Sequence, residues 1–143
     1  RHVHHGPGVL LVGHQGNFSL DFREGRPGLL YYRKQPLGND LSSNLRTVLA
    51  TLLRACQLLQ DSAGLELKFA TGEVIVFAND RLLAPNRKDK NAAFQEAVSD
   101  VLHLIANGNS ECSFHQGDPR ERFAVTLKLP DLAIDSLLRR LED

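Results

Sequence analysis

Apolar and polar residues alternate along three stretches of the chain, which predicts strands with one face on a core. Every second residue is apolar in segments 18–22, 65–69 and 123–129. Successive side chains of a strand point to opposite faces, so this period is typical of a half-buried strand. Clean alternation favours antiparallel pairing, because strands of parallel sheets are covered on both faces and consist of continuous apolar runs.

Short turn sequences lie between neighbouring strand segments and predict β-hairpins. The predicted turns are Gln15-Gly16, Thr71-Gly72 and Gly117-Asp118-Pro119. Glycine supplies the positive φ that tight turns require, and proline presets the backbone at a turn's first corner. A further strand at 29–34 is predicted after the glycine- and proline-containing segment 24–28.

Three segments show helical spacing, with apolar residues recurring at every third or fourth position. They predict helices at about 40–60, 89–106 and 134–141. Asp40 is among the candidate caps of the first helix, and Asn107-Gly108 is the predicted end of the second, since glycine accommodates a left-handed residue. The predicted order is β-β-β-α-β-β-α-β-β-α.

This order predicts an α+β fold, a two-layer sandwich with a largely antiparallel sheet of about six or seven strands. We expect the two long helices to cover one face of that sheet. No shift of composition and no long linker divides the chain, so a single domain over residues 1–143 is expected, with 1–8 as a loose amino-terminal segment.

The predicted Thr71-Gly72 hairpin leaves apolar side chains on the face that alternation assigns to solvent. Residues directly opposite each other in an antiparallel pair share a face. If Phe69 lies opposite Val74 on the core side, then Ile75 and Phe77 point away from the core.

The predicted Gln15-Gly16 hairpin leads to the same expectation. Closing the hairpin there places Leu20 opposite Leu11 on the core side, so Leu10 and Val12 join Ser19 on the outer face. An exposed apolar patch commonly marks an interface. We therefore predict an interface at Leu10, Val12, Ile75 and Phe77, most simply with a second copy of the chain.

Two alternatives stay open for these four residues. The amino-terminal segment or the last helix could cover the outer face. A β-bulge could also shift the register and move the apolar side chains to the core side.

The charge balance argues against nucleic acid as the partner. Lys and Arg together number 17, as do Asp and Glu, so the formal net charge is zero. A protein that binds phosphates usually has a basic excess, and bases stack on aromatic side chains, which are scarce here. The longest apolar runs fall far short of the roughly 20 residues that a membrane helix needs.

The two cysteines, Cys56 and Cys112, have no spacing typical of a metal site or a redox motif. Cys56 lies in a helical pattern and Cys112 in a strand pattern, where cysteine commonly acts as a small buried apolar residue. Two structural thiols favour a reducing compartment, so a cytoplasmic location is expected.

No catalytic motif, metal motif or cofactor motif occurs in the sequence, which favours a non-catalytic binding or assembly domain. The alternative is a small-molecule enzyme or an anion-binding protein, in which loop arginines recognise a carboxylate or phosphate. The residues of this predicted anion site are His14, Arg81, His115, Arg120 and Arg122.

Overall fold

The computed structural model describes residues 9–21, 27–35, 38, 40–62, 64, 66–78, 91–107, 111–114, 120 and 122–143. Segment 1–8, predicted to be loose, lies outside these residues. Over these residues the chain is an α+β protein with antiparallel sheets and three helices, and it divides into two compact units, Arg1–Phe69 and Ala70–Asp143.

The prediction of one sheet with six or seven strands is wrong, because the described strands form two separate sheets of three. The two long helices, predicted on one face of a single sheet, belong to different units, one to each. The predicted single domain stays a prediction.

The first unit contains three strands followed by one long helix. These elements are β1 (Val9–Val12), β2 (Gly16–Asp21), β3 (Gly28–Arg33) and α1 (Leu41–Asp61). The strand order follows the chain, β1-β2-β3, with both pairs antiparallel. Helix α1 packs against β3.

The β1–β2 hairpin closes one residue earlier than predicted. The Gly13 N–H donates to the Gly16 carbonyl at 3.0 Å, so the two-residue loop is His14-Gln15. Leu11 therefore lies opposite Phe18 rather than Leu20. A register difference of two residues keeps the same residues together on each face, whereas a difference of one would have mixed the two sets.

Helix α1 begins where its cap residue predicts. The Asp40 carboxylate accepts hydrogen bonds from the Ser43 N–H at 3.0 Å and the Ser43 hydroxyl at 2.8 Å. These bonds lower the pKa of Asp40. The helix buries one apolar stripe, which is the amphipathic pattern that the sequence predicted. Its buried residues are Leu45, Leu49, Ala50, Leu53 and Cys56.

The second unit contains three strands and two helices. They are β4 (Glu73–Phe77), α2 (Ala92–Ala106), β5 (Glu111–Phe114), β6 (Ala124–Lys128) and α3 (Ile134–Glu142). The sheet order is β4-β6-β5, so β6 is the central strand and pairs antiparallel with both neighbours. Helices α2 and α3 pack together.

The predicted Thr71-Gly72 hairpin is wrong, because β4 pairs with β6 and residues 66–70 form no strand. The Phe69 N–H donates instead to the side-chain oxygen of Gln60 in α1, at 2.6 Å. The Thr71 hydroxyl donates to the Leu132 carbonyl. The polar groups of this segment therefore bond to α1, to Leu132 and, at Gly72, to Leu129 instead of to a facing strand at 66–70.

The core of the second unit is organised around Phe123, which is 1% exposed. Phe94 of α2 meets its ring edge-on at 5.4 Å between centroids, and Phe114 of β5 stacks at 6.0 Å. Helix α2 ends at Asn107, which itself adopts the left-handed conformation, with φ of 47°. The sequence predicts this conformation for a glycine, but asparagine also tolerates it because its side chain is short and polar.

Candidate interaction surfaces

One face of the second unit's sheet carries exposed apolar side chains, and we call it the β4 face. It consists of Glu73, Ile75 and Phe77 of β4 with the residues that share their face on β6 and β5. Ile75 lies opposite Thr126, which in turn lies opposite Ser113, and Phe77 lies opposite Ala124. Ile75 is 42% exposed and Phe77 36% exposed. The β4 face is itself buried on the central strand, where Ala124 is 3% and Thr126 8% exposed, so its exposed apolar residues lie on β4.

The reverse side of the sheet is buried at its centre as well. Val74 and Val76 alternate with Ile75 along β4 and lie opposite Leu127 and Val125, both of which are fully buried. Strand alternation therefore separates a core side from the β4 face, even though the hairpin from which this was predicted does not form.

Arg122 lies against the β4 face. Its guanidinium carbon is 4.9 Å from the centroid of the Phe77 ring, a cation–π contact that keeps the charge beside an apolar side chain. Arg122 was predicted as an anion-site residue, and its contact with Phe77 was not predicted from the sequence. That contact follows from the β4–β6 pairing, which local sequence signals did not reveal.

The first unit's sheet has one face composed largely of apolar side chains, and we call it the Leu11 face. Val9 and Leu11 are 48% and 66% exposed. The Phe18 and Tyr31 rings stack at 4.7 Å between centroids. None of its six apolar residues is buried. By the strand register, these residues are Val9, Leu11, Phe18, Leu20, Leu29 and Tyr31.

The opposite face of this sheet holds the predicted interface residues Leu10 and Val12. Leu10 is half-buried and Val12 is 59% exposed. Ser19, expected on the solvent side, is only 7% exposed, whereas Leu11, expected toward the core, is exposed. Both expectations are wrong. Strand β1 is apolar on both faces, so alternation does not state which of its faces is covered, and in β2 the polar residue Ser19 is more buried than its apolar neighbours Phe18 and Leu20.

Gly16 is required where Tyr31 crosses the start of β2. A Cβ at this position would lie 2.6 Å from Cε2 of Tyr31 and 2.7 Å from the Tyr32 carbonyl oxygen. Only glycine gives the ring this close approach to the backbone.

The His14 turn is tied to the end of β3 by side chains. Lys34 Nζ donates to the Gly13 carbonyl at 2.9 Å, and the Gln35 Nε2 lies 3.2 Å from His14 Nε2. Arg33 Nε donates to the Gln35 carbonyl at 3.0 Å. The contacts of Lys34 and Gln35 hold the hairpin, and the sequence did not indicate them because they join residues 21 positions apart.

The other predicted anion-site residues are spread along the chain. Arg81 and His115 lie outside the described residues. Arg120 is exposed and Arg122 half-buried, both in the second unit, whereas His14 belongs to the first. The anion site stays a prediction.

Both cysteines occur as thiols. Burial raises the pKa of Cys56 to about 11, so this thiol is protonated near neutral pH and is a poor nucleophile. Cys112 is half-buried on β5. Across the part of the chain that the structure describes, no three His, Cys, Asp or Glu side chains are grouped so that they could hold a metal ion.

Among the described residues, no helix has both the length and the apolar character that crossing a membrane requires. Comparison with protein-family models, with curated proteins and with solved structures finds no match for the chain.

Proposed function

We propose that this protein is a non-catalytic assembly domain that associates with a second copy of itself through the apolar faces of its sheets. The observation that carries the proposal is the β4 face, where Ile75 and Phe77 are 42% and 36% exposed on one side of a single strand. Large apolar side chains grouped in this way commonly mark an interaction surface.

The composition of the β4 face supports the proposal. Aromatic side chains and arginine are enriched in interfaces, and the contact of Phe77 with Arg122 combines the two. Exposed charged residues border the other end of the face, at Glu73, Lys128 and Glu111. An apolar centre with a charged border is the usual arrangement of an interface.

The first unit offers a second surface of the same character. Val12 is 59% exposed and Leu10, predicted at the interface together with it, is half-buried on the same face of β1. We include Leu10 and Val12 in the proposal as the contact that the first unit contributes.

A second copy is the partner that the charge balance favours. The formal net charge is zero, so two copies do not repel each other at long range. Both charge signs border the β4 face, with Glu73 at one end and Arg122 at the other, so the face can be complementary to itself.

Substitution of Phe77 by Glu tests this proposal. A charge on the β4 face should raise the dissociation constant of the assembly at least about tenfold, which corresponds to about 1.4 kcal/mol. The measurement is sedimentation velocity over a range of concentrations, with circular dichroism to follow the fold.

Leu104→Glu is the matched control, because Leu104 is an exposed apolar residue of the same unit, 37% exposed, on helix α2 instead of the sheet. It should leave association unchanged. An equal effect of the two substitutions would contradict the proposal, and unfolding of Phe77→Glu would show that Phe77 belongs to the core.

A further inference from the structure

We infer that β4 pairs edge to edge with β4 of a second copy, antiparallel and centred on Ile75, so that one continuous sheet runs through both copies. This inference rests on the proposed function and specifies the contact. It follows from the position of β4 in its sheet, from the direction of its backbone groups and from the charges at its two ends.

Among the strands that the structure describes, β4 lies at an edge of its sheet, since the order is β4-β6-β5. At the two ends of the pairing, the Ala78 N–H donates to the Phe123 carbonyl and the Leu129 N–H donates to the Gly72 carbonyl, both at 2.9 Å. In an antiparallel ladder, alternate residues direct their backbone groups toward the partner strand. Even-numbered residues of β4 therefore face β6, and the backbone groups of Ile75 point to the outer edge.

The sequence of β4, EVIVF, has few of the features that keep an edge strand from pairing. Proteins protect such edges with lysine, proline, bulges or very short strands. This strand has no proline and no lysine, and its ladder with β6 runs without a bulge. The other edge, β5, has the more polar sequence ECSF, with Ser113 where β4 has Ile75.

A two-fold axis at Ile75 brings opposite charges together. Ile75 then lies opposite Ile75 of the second copy, and Glu73 lies opposite the second copy's Phe77. Arg122 lies over Phe77 in each copy, so each Glu73 carboxylate meets a guanidinium of the other copy. The symmetry produces this ion pair twice, as in any interface formed by the same patch on both partners.

The backbone adds to the contact. Three outward-facing residues of each copy, centred on Ile75, form about six hydrogen bonds across the new pair. Since alternate residues share a face, the exposed Ile75 and Phe77 side chains of both copies lie side by side and cover one another.

Cross-linking at position 75 tests this pairing. In a chain carrying Cys112→Ser, Ile75→Cys places two thiols opposite each other, within reach of a short bismaleimide. Paired strands keep the second thiol at an effective concentration near millimolar, so at micromolar protein the cross-linked fraction should be at least about tenfold above that of an unpaired site. Cys56 is buried and protonated at neutral pH, so it adds little background.

Ser113→Cys in the same background is the matched control. Ser113 and Ile75 lie on the same face, on either side of Thr126, but at opposite edges of the sheet. Preferential cross-linking at position 75 supports the pairing. A chain that sediments as a dimer without this preference overturns the pairing and leaves the assembly proposal intact, whereas a chain that stays monomeric overturns both.

Discussion

At the scale of single residues, burial determines the chemistry of Cys56. The side chain is 7% exposed on the covered side of α1, and the loss of hydration raises its pKa from 9.0 to about 11. Desolvation disfavours the charged form, so the neutral thiol is the form that the fold accommodates. Cys56 therefore acts as a small apolar residue of the core.

This raised pKa predicts a loss of stability in alkali. The contribution of the neutral Cys56 thiol is fully present below pH 9, the ordinary value, and is lost as pH rises toward about 11. Replacement of Cys56 by Ala should remove a fall in the free energy of unfolding on the order of 2 kcal/mol between pH 9 and pH 11. Chemical denaturation at several pH values measures it.

Cys112→Ala is the control in this series. It leaves Cys56 in place, so the alkaline loss should persist. The quantity to compare is the difference in unfolding free energy between the wild type and Cys56→Ala. If this difference were the same at pH 11 as at pH 9, the Cys56 thiol would be hydrated in the fold and the prediction would be wrong.

At the scale of elements, the helices were predictable because their signals are local. The first was expected at about 40–60 and spans Leu41–Asp61, and the third was expected at about 134–141 and spans Ile134–Glu142. Two signals predict a helix, the spacing of its apolar residues and its cap residue, and both lie within a few positions of each other in the sequence. The positions of both helices therefore followed from sequence.

Strand pairing was less predictable because it joins distant segments. Strand β4 was expected to pair across Thr71-Gly72 with its preceding neighbour, but it pairs with β6, with Ile75 opposite Thr126. A turn sequence permits a hairpin without requiring one. The contact between Arg122 and Phe77 depends on this long-range pairing, so it too was outside the reach of local patterns.

The candidate surface was predictable only in part. The location of Ile75 and Phe77 on one face needs no more than strand alternation. Leu10 and Val12 lie in a strand with apolar residues on both sides, VLLV, so their pattern does not state which side is covered.

The edge pairing of β4 predicts a charge-reversal experiment. Glu73→Arg and Arg122→Glu should each weaken self-association, because each places like charges together across the two-fold axis. An equimolar mixture of the two variants should recover a heterodimer, in which both cross-copy pairs are attractive. Sedimentation of each variant and of the mixture measures this, at low ionic strength so that screening is small.

Glu111→Arg provides the control for this charge change. Glu111 and Glu73 both lie opposite Lys128, on either side of β6, so their surroundings within the sheet are similar. Glu111→Arg should leave association unchanged. No recovery in the mixture, or equal weakening by Glu111→Arg, would be inconsistent with pairing through β4.

At the scale of the whole molecule, a neutral chain carries apolar surface on both of its small sheets. In the part of the chain that the structure describes, each sheet has three strands, and each has exposed apolar side chains on at least one face. The proposed association of two copies would cover such surface and would extend the second sheet, as described, from three strands to about six. The proposed assembly would therefore enlarge the second sheet as well as bury its exposed apolar side chains.

The most direct test of this account is sedimentation equilibrium of the wild-type chain, from low micromolar concentrations up to about 1 mM, which also detects weak association. The account predicts a concentration-dependent rise of the apparent mass from 15.9 kDa to twice that value. A mass of 15.9 kDa that stays constant up to the highest concentration would contradict it.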